Sequence, residues 1–197
     1  MAVLAPSTQH FMSLGRVLLG AVVLTELWKS SSSWLVLPCV LLACWLDYAD
    51  GHIARAHGEE TTGGRLIDNV SDAAFLALCF WGFASVDVWS DPVSGSATRY
   101  WEYANWLPLI MLLVSFGTYM LRWYLSALLD KPLAPSLRGH SAGVFNYVLA
   151  IVGGVAVIPG FTLTPWLVEP AFVTVALLNA TAASDNLMLL ASLRRRP

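Results

Sequence analysis

Residues 47–72 read DYADGHIARAHGEETTGGRLIDNVSD, and this stretch carries four aspartates at the edges of two apolar runs. Asp47 and Asp50 are three residues apart, and Asp68 and Asp72 are four apart, so each pair shares one face of a helix. The glycine-rich segment between the pairs predicts a turn that makes the two helices antiparallel neighbours. We therefore expect the four carboxylates to converge on one volume.

The composition indicates an integral membrane protein. The chain has 197 residues, of which 57% are hydrophobic and 12% are charged, and its mean hydropathy is +0.63. An ordinary soluble domain is roughly 45–50% apolar, and the nine tryptophans fit the aromatic belts of a membrane protein. A net charge of −2 without a basic run gives no indication of a nucleic-acid partner. We expect one domain over residues 1–197.

Apolar runs between polar segments predict an all-α fold, a bundle of six transmembrane helices. The short apolar runs beside the aspartates are too short to span a bilayer alone, so the helices must continue into the aspartate-bearing segments. The six predicted spans lie near 11–29, 34–56, 65–87, 104–128, 141–161 and 168–193.

The basic residues predict the orientation of these spans. If the N-terminus is cytoplasmic, all of the 11 Lys and Arg residues except Lys29 and Arg99 fall at or near the cytoplasmic side. This distribution predicts a multi-pass membrane protein with both termini and all four aspartates at the cytoplasmic face. The residues on that side are Arg16, Arg55, Arg65, Arg122, Lys131, Arg138, Arg194, Arg195 and Arg196.

Carboxylates beside a bilayer are costly and repel one another, so the four aspartates need a compensating positive charge. A divalent metal ion is the simplest source of that charge. Mg²⁺ and Mn²⁺ both prefer oxygen ligands and keep coordination positions open for substrate phosphates. Gly51 leaves room for a bulky group to approach the backbone, and Arg55, one helical turn further on, can clamp phosphate oxygens. Each aspartate taken alone could instead be a solvated helix end or a cap.

The same stretch resembles the signature of the CDP-alcohol phosphotransferases, D-x2-D-G-x2-A-R-x8-G-x3-D-x3-D, and every fixed position is matched. The span count and orientation are also similar to that family, so the likeness covers most of the chain. The resemblance implies a six-helix fold, usually a homodimer. It also implies transfer of a phosphatidyl or similar group from a CDP-linked donor, such as CDP-diacylglycerol, to an acceptor hydroxyl, with release of CMP.

The resemblance assigns roles to the four aspartates. Asp47 and Asp68 would bridge two Mg²⁺ ions, for which Mn²⁺ could substitute. Asp50 would bind the first ion and Asp72 the second. Asp72 would also accept the proton of the attacking hydroxyl as general base. Two metals at such a site can neutralise a pyrophosphate and stabilise a leaving CMP, which agrees with this arrangement.

The resemblance also assigns contacts with the CDP portion of the donor. Gly51, Arg55 and Thr61 would contact it directly. The family tends to carry Asn-x2-Thr-x2-Arg at the start of the first helix, where Ser13 and Arg16 supply a hydroxyl and a basic residue. His10 replaces the Asn, and the alternative for this segment is an interfacial helix start whose arginine reaches the headgroups.

The acceptor alcohol is left open by the sequence. Arg122 interrupts an apolar run, so it should face a cavity or reach the headgroups. Arg138 and His140 could bind an acceptor phosphate, or serve only as positive-inside residues. Asn69 and Ala73 stand where phosphatidylglycerophosphate and cardiolipin synthases commonly have Pro and Lys. Glycerol 3-phosphate, inositol phosphate and other small alcohols therefore remain candidates.

Polar residues in the last two predicted spans favour a structural role. Asp185, Asn186 and Asn179 interrupt the final apolar run, and Asn146 and Tyr147 lie in the one before it. They could line a cavity or an acceptor site, but interhelical hydrogen bonds or a dimer contact are the favoured interpretation.

Two other classes of protein compete with the enzyme. An ion-coupled transporter can use intramembrane carboxylates, but it would need them near the bilayer midplane and would show related halves with broken helices. A non-catalytic membrane scaffold would be expected to have lost part of the signature, and no signature position is lost.

Overall fold

The computed structural model describes residues 7–57, 62–89, 105–130, 136–161 and 165–195. Within these ranges the regular structure is six α-helices, and no strand occurs. The all-α prediction is therefore confirmed. The helices are α1 (Ser7–Lys29), α2 (Val36–His57), α3 (Thr62–Ser85), α4 (Leu107–Leu128), α5 (Leu137–Ala156) and α6 (Pro165–Arg195).

Five of the helices are long and apolar enough to cross a membrane, which fits a multi-pass membrane protein. The predicted span at 34–56 corresponds to α2, which is not among the five when the described residues are searched. A span at α2 and the orientation of the termini both stay predictions. The five candidate spans are Phe11–Lys29, Gly63–Ser85, Leu107–Leu128, Leu137–Ala156 and Pro170–Ala191.

The bounds of α5 differ most from the prediction, which placed this span at 141–161. The helix begins earlier because Ser136 caps it: its Oγ accepts the backbone N–H of Gly139 at 3.0 Å. It ends at Ala156, three residues before Pro159, which lacks the N–H that a continuing helix would need. Gly160 then takes a positive φ of 75° in the turn that follows. The two ends of α5 are therefore set by the Ser136 cap and by Pro159, and not by the limits of the apolar run.

The first of two compact units contains α1, α2, α3 and described residues 150–161. In this unit α1 packs against both α2 and α3. The approach of α1 to α3 is close at Gly20, where a Cβ atom would lie 3.2 Å from the Cα of Phe75. A small residue is therefore required at position 20 for the two helices to keep this separation. This packing brings the N-terminal half of α1 against the aspartate-bearing part of α3.

The second unit contains α4 and α6, which pack together, and the part of α5 up to Leu149. Asn146 of α5 and Asn179 of α6 exchange two side-chain hydrogen bonds, with N···O distances of 3.2 and 2.8 Å. Both residues are buried. The expectation that these two asparagines form interhelical hydrogen bonds is confirmed. The predicted single domain stays a prediction.

Candidate functional site

The four aspartates surround the guanidinium group of Arg16, which projects from α1. Arg16 Nη1 lies 2.6 Å from Asp47 Oδ1 and also contacts Asp72 Oδ1. Arg16 Nη2 lies 3.0 Å from Asp68 Oδ1 and 3.8 Å from Asp50 Oδ2. One oxygen of every carboxylate thus lies next to the same cation. The aspartates of α2 and α3 converge on one volume, as their helical spacing indicated.

The face of α1 that meets this cluster is built by residues at helical spacing. Ser13, Arg16 and Gly20 lie three and four residues apart, so they point to the same side of the helix. The Ser13 hydroxyl donates to Asp68 Oδ1 at 2.9 Å, and Arg16 Nη2 lies 3.4 Å from Ser13 Oγ. Close packing at Gly20 keeps α1 near enough to α3 for both side chains to reach the aspartates.

The site is buried at one side and open at the other. The side chains of Arg16 and Asp50 are 0% and 4% exposed, whereas those of Asp68 and Asp47 are 37% and 44% exposed. Asp50 Oδ2 has no hydrogen-bond partner among the residues that the structure describes. Among the described side chains, Arg16 is the cation paired with these four carboxylates, which leaves the cluster negative when all are ionised and able to accept further positive charge.

These residues fit a divalent metal by the chemistry of their donors. Four carboxylates supply only oxygen ligands, which Mg²⁺ and Mn²⁺ prefer. The buried Asp50 Oδ2 is an acceptor that needs a partner, and it points into the cluster. In the described part of the chain, however, no three His, Cys, Asp or Glu side chains stand in metal-ligating geometry. Instead, one oxygen of each carboxylate lies against the guanidinium.

The structure gives Arg16 a role that the sequence did not predict, because the sequence placed it near the nucleotide or the headgroups and not among the four aspartates. The expected compensating charge was a metal, whereas the structure supplies a guanidinium from a third helix. A signal was present, because Arg16 is the one charged residue between Phe11 and Thr25 and stands one turn after Ser13. Such a residue must find a charged partner or reach the headgroups, and its burial excludes the headgroups.

Only one of the three residues assigned to direct contact with the CDP portion can be placed in detail. Gly51 follows Asp50 on α2 and is partly exposed, beside the aspartate cluster. Arg55 belongs to the last turns of α2, but its side chain lies outside what the structure describes. Thr61 lies outside the described residues. Their contacts with a nucleotide stay predictions.

The residues considered for the acceptor lie in the second unit. Arg122 of α4 is buried, and its Nη1 donates to Asn186 Oδ1 of α6 at 2.8 Å. Asn186 Nδ2 in turn lies 3.4 Å from Thr118 Oγ1 on α4. Arg122 is thus buried and bonded to α6 through Asn186, which makes an interhelical hydrogen bond, and the cavity-facing role of Arg122 stays a prediction.

Arg138 and Asp185 form a second, more exposed group in the same unit. The Arg138 side chain is 56% exposed and its Nη1 lies 4.0 Å from Asp185 Oδ1. The Ser136 hydroxyl donates to Asp185 Oδ2 at 2.6 Å. Asp185 therefore connects α6 to the start of α5, and Arg138 keeps a largely free surface. His140, two residues after Arg138 on α5, is exposed.

Comparison with known proteins identifies the family. A family model described as CDP-alcohol phosphatidyltransferase matches residues 8–185 of the chain. No curated protein and no solved structure matches. The matched range includes Ser13 and Arg16 of α1 and all four aspartates. Because the match spans most of the 197 residues, the chain belongs to the CDP-alcohol phosphatidyltransferase family.

Proposed function

We propose that the protein transfers a phosphatidyl group from CDP-diacylglycerol, or a similar group from a related CDP-linked donor, to the hydroxyl of a small alcohol. The acceptor oxygen forms a bond to the phosphorus of the transferred group, and the bond from that phosphorus to CMP breaks. The acceptor proton passes to a base, and CMP leaves. One observation carries the proposal beyond family membership: four aspartates from two helices converge on one partly open volume.

Asp47, Asp50, Asp68 and Asp72 would hold two Mg²⁺ ions, with Mn²⁺ as an alternative. Bound there, the metals supply positive charge that neutralises the pyrophosphate and stabilises the leaving CMP. Asp72 takes the acceptor proton as general base, a role that contributes about 10²- to 10⁴-fold to a rate. Its side chain is partly exposed, so an acceptor can reach it.

Donor binding is assigned to Gly51, Arg55 and Thr61, with Ser13 contributing from α1. Gly51 allows the nucleotide to approach the backbone of α2 next to Asp50, and the Arg55 fork suits phosphate oxygens. Because the Ser13 hydroxyl donates to Asp68, it also orients that carboxylate.

Acceptor binding is assigned to Arg122 and Arg138, which favours an anionic acceptor such as glycerol 3-phosphate or inositol phosphate. Arg122 is held inward by Asn186, and the exposed Arg138 guanidinium is accessible to a phosphate. We further propose that the protein forms a homodimer, that both termini are cytoplasmic, and that the active site opens at the cytoplasmic face, where water-soluble acceptors are available.

An acceptor screen tests this proposal. Purified protein in lipid vesicles receives CDP-diacylglycerol with labelled cytidine and Mg²⁺, and the acceptors glycerol 3-phosphate, inositol phosphate, inositol, serine, choline and phosphatidylglycerol are offered in turn. We expect labelled CMP to appear with one acceptor class and to disappear with a metal chelator. Ion-driven solute uptake without CMP release would favour a transporter. Neither activity, in protein that is demonstrably folded, would favour a scaffold.

A further inference from the structure

We infer that Arg16 is an internal cation that competes with divalent metal for the four aspartates and gives up these contacts when metal binds. The inference rests on the proposed function, because it takes the same aspartates as metal ligands. It makes Arg16 a positioning residue: it holds the carboxylates together, and it sets how tightly they bind metal.

The geometry favours competition because the guanidinium lies against one oxygen of each carboxylate, at the centre of the volume that a metal would share. Arg16 Nη1 contacts Asp47 and Asp72, and Nη2 contacts Asp68 and, at a longer distance, Asp50. A second cation that binds Asp47 Oδ1 or Asp68 Oδ1 would meet the nitrogen that lies 2.6 or 3.0 Å from that oxygen. Like charges at such separations repel strongly where water is excluded.

The burial of Arg16 explains why this residue takes the position. Its side chain is 0% exposed, so its charge has little compensation from water and depends on the carboxylates. The aspartates depend on it equally, because neighbouring carboxylates with no cation between them repel one another. The contacts join α1 to α2 and α3, so the cluster is already assembled around one positive charge. A metal that binds these aspartates would therefore replace the Arg16 guanidinium as their positively charged partner.

The long arginine stem makes the exchange possible without moving a helix. The guanidinium is carried on several rotatable bonds, so it can shift while α1 stays packed at Gly20. Ser13, one turn earlier on the same face, keeps its hydroxyl on Asp68 during such a shift. When metal binds, the Arg16 side chain then moves while the backbone of α1 stays in place.

Manganese binding to the purified protein without substrate tests the inference directly. Free Mn²⁺ is followed by electron paramagnetic resonance during titration of the wild type, Arg16→Gln and Arg16→Lys. We expect Arg16→Gln to bind Mn²⁺ about tenfold more tightly than the wild type, because the competing charge is gone. Arg16→Lys keeps the charge but loses the fork that reaches all four carboxylates, so a smaller gain in affinity is expected.

Arg122→Gln is the matched control, because it also removes a buried arginine charge from a membrane-spanning helix. Arg122 belongs to the second unit, where its guanidinium donates to Asn186. We expect its Mn²⁺ affinity to stay within about twofold of the wild type, well below a tenfold change of about 1.4 kcal/mol. A comparable gain in Mn²⁺ affinity in Arg122→Gln would mean that the loss of any buried positive charge is enough to tighten Mn²⁺ binding. That result would overturn the specific role of Arg16.

Thermal unfolding separates this role from a purely structural one. Without Mn²⁺, Arg16→Gln should unfold at a lower temperature than the wild type because its carboxylates lack a counter-charge. At saturating Mn²⁺ the difference should shrink, since the metal supplies the missing charge. A deficit that stays constant as Mn²⁺ is added would show that Arg16 is structural only.

The outcomes for this inference and for the proposed function can be told apart. If the wild type binds Mn²⁺ and Arg16→Gln binds it equally or more weakly, Arg16 does not compete, and only the inference fails. If Arg16→Gln does not fold, Arg16→Lys decides in the same way: tighter binding supports the inference, and equal or weaker binding overturns it. If the wild type binds no Mn²⁺, the proposed metal site fails and the inference fails with it.

Discussion

Arg16 Nη1 lies 2.6 Å from Asp47 Oδ1 and joins α1 to the second half of α2. The same nitrogen contacts Asp72 of α3, so one side chain connects three helices. The candidate site is thus built by α1 as well as by the two helices that carry the family signature. Any change that moves α1 is expected to disturb the arrangement of the aspartates.

Asp72→Asn should abolish turnover while leaving metal binding largely intact. The amide keeps the size of the side chain and can still offer an oxygen, but it cannot accept the acceptor proton. A loss of about 10²- to 10⁴-fold in CMP release is expected, with a much smaller change in Mn²⁺ affinity. Full activity in this variant would rule out Asp72 as the base.

Asp47→Ala should weaken the metal dependence of activity more than the loss of Asp50 or Asp72. In the proposed arrangement Asp47, like Asp68, would contribute to both metal sites, whereas Asp50 and Asp72 would each contribute to one, so the loss of Asp47 would affect two sites at once. The Mg²⁺ concentration for half-maximal activity is expected to rise about tenfold or more, which corresponds to about 1.4 kcal/mol. Asp185→Ala serves as the control, since Asp185 contacts Ser136 in the second unit. A Mg²⁺ titration that Asp47→Ala leaves unchanged would contradict the two-ion site.

Gly20→Ala should destabilise the protein, because the added methyl group would lie 3.2 Å from the Cα of Phe75, which is backbone and cannot turn away. A cost of about 1–3 kcal/mol is expected for such overpacking. Gly117→Ala on α4 is the matched control, since its added Cβ atom would have no atom within 4 Å. That control should be neutral or stabilising by up to about 1 kcal/mol. Thermal unfolding in detergent compares the two, and equal stabilities would refute the close packing at Gly20.

Arg122→Gln should raise the KM for a phosphorylated acceptor with little change in the KM for CDP-diacylglycerol. The guanidinium is buried and held by Asn186, so its loss removes a positioned charge from the second unit. An increase of about tenfold or more is expected for a charge-assisted contact. Steady-state kinetics with each substrate varied in turn provides the measurement. Equal effects on both substrates would argue against an acceptor-specific role.

Much of the fold followed from the sequence because a long apolar run has few alternatives to a membrane helix. The bounds of α5 did not follow, since they depend on the Ser136 cap and on Pro159 and not on hydropathy. The convergence of the aspartates was predictable from their spacing on two helices that only residues 58–61 separate in the chain.

The position of Arg16 was harder to predict. Spacing relates residues within one helix, whereas Arg16 reaches the aspartates through packing between helices. That packing depends on a small residue at position 20 facing Phe75, a contact between residues far apart in the chain. The electrostatic argument correctly required a compensating cation but could not say which group supplies it.

The most direct test of the account is metal restoration of CMP release. Protein purified in vesicles and stripped with a chelator is given CDP-diacylglycerol with labelled cytidine and the acceptor panel, and Mg²⁺ is then added back. The account predicts no CMP release before Mg²⁺ is added, and acceptor-dependent release afterwards that Asp72→Asn abolishes. CMP release that continues in the presence of the chelator would contradict the account. So would the absence of CMP release with every acceptor after Mg²⁺ is restored to folded protein.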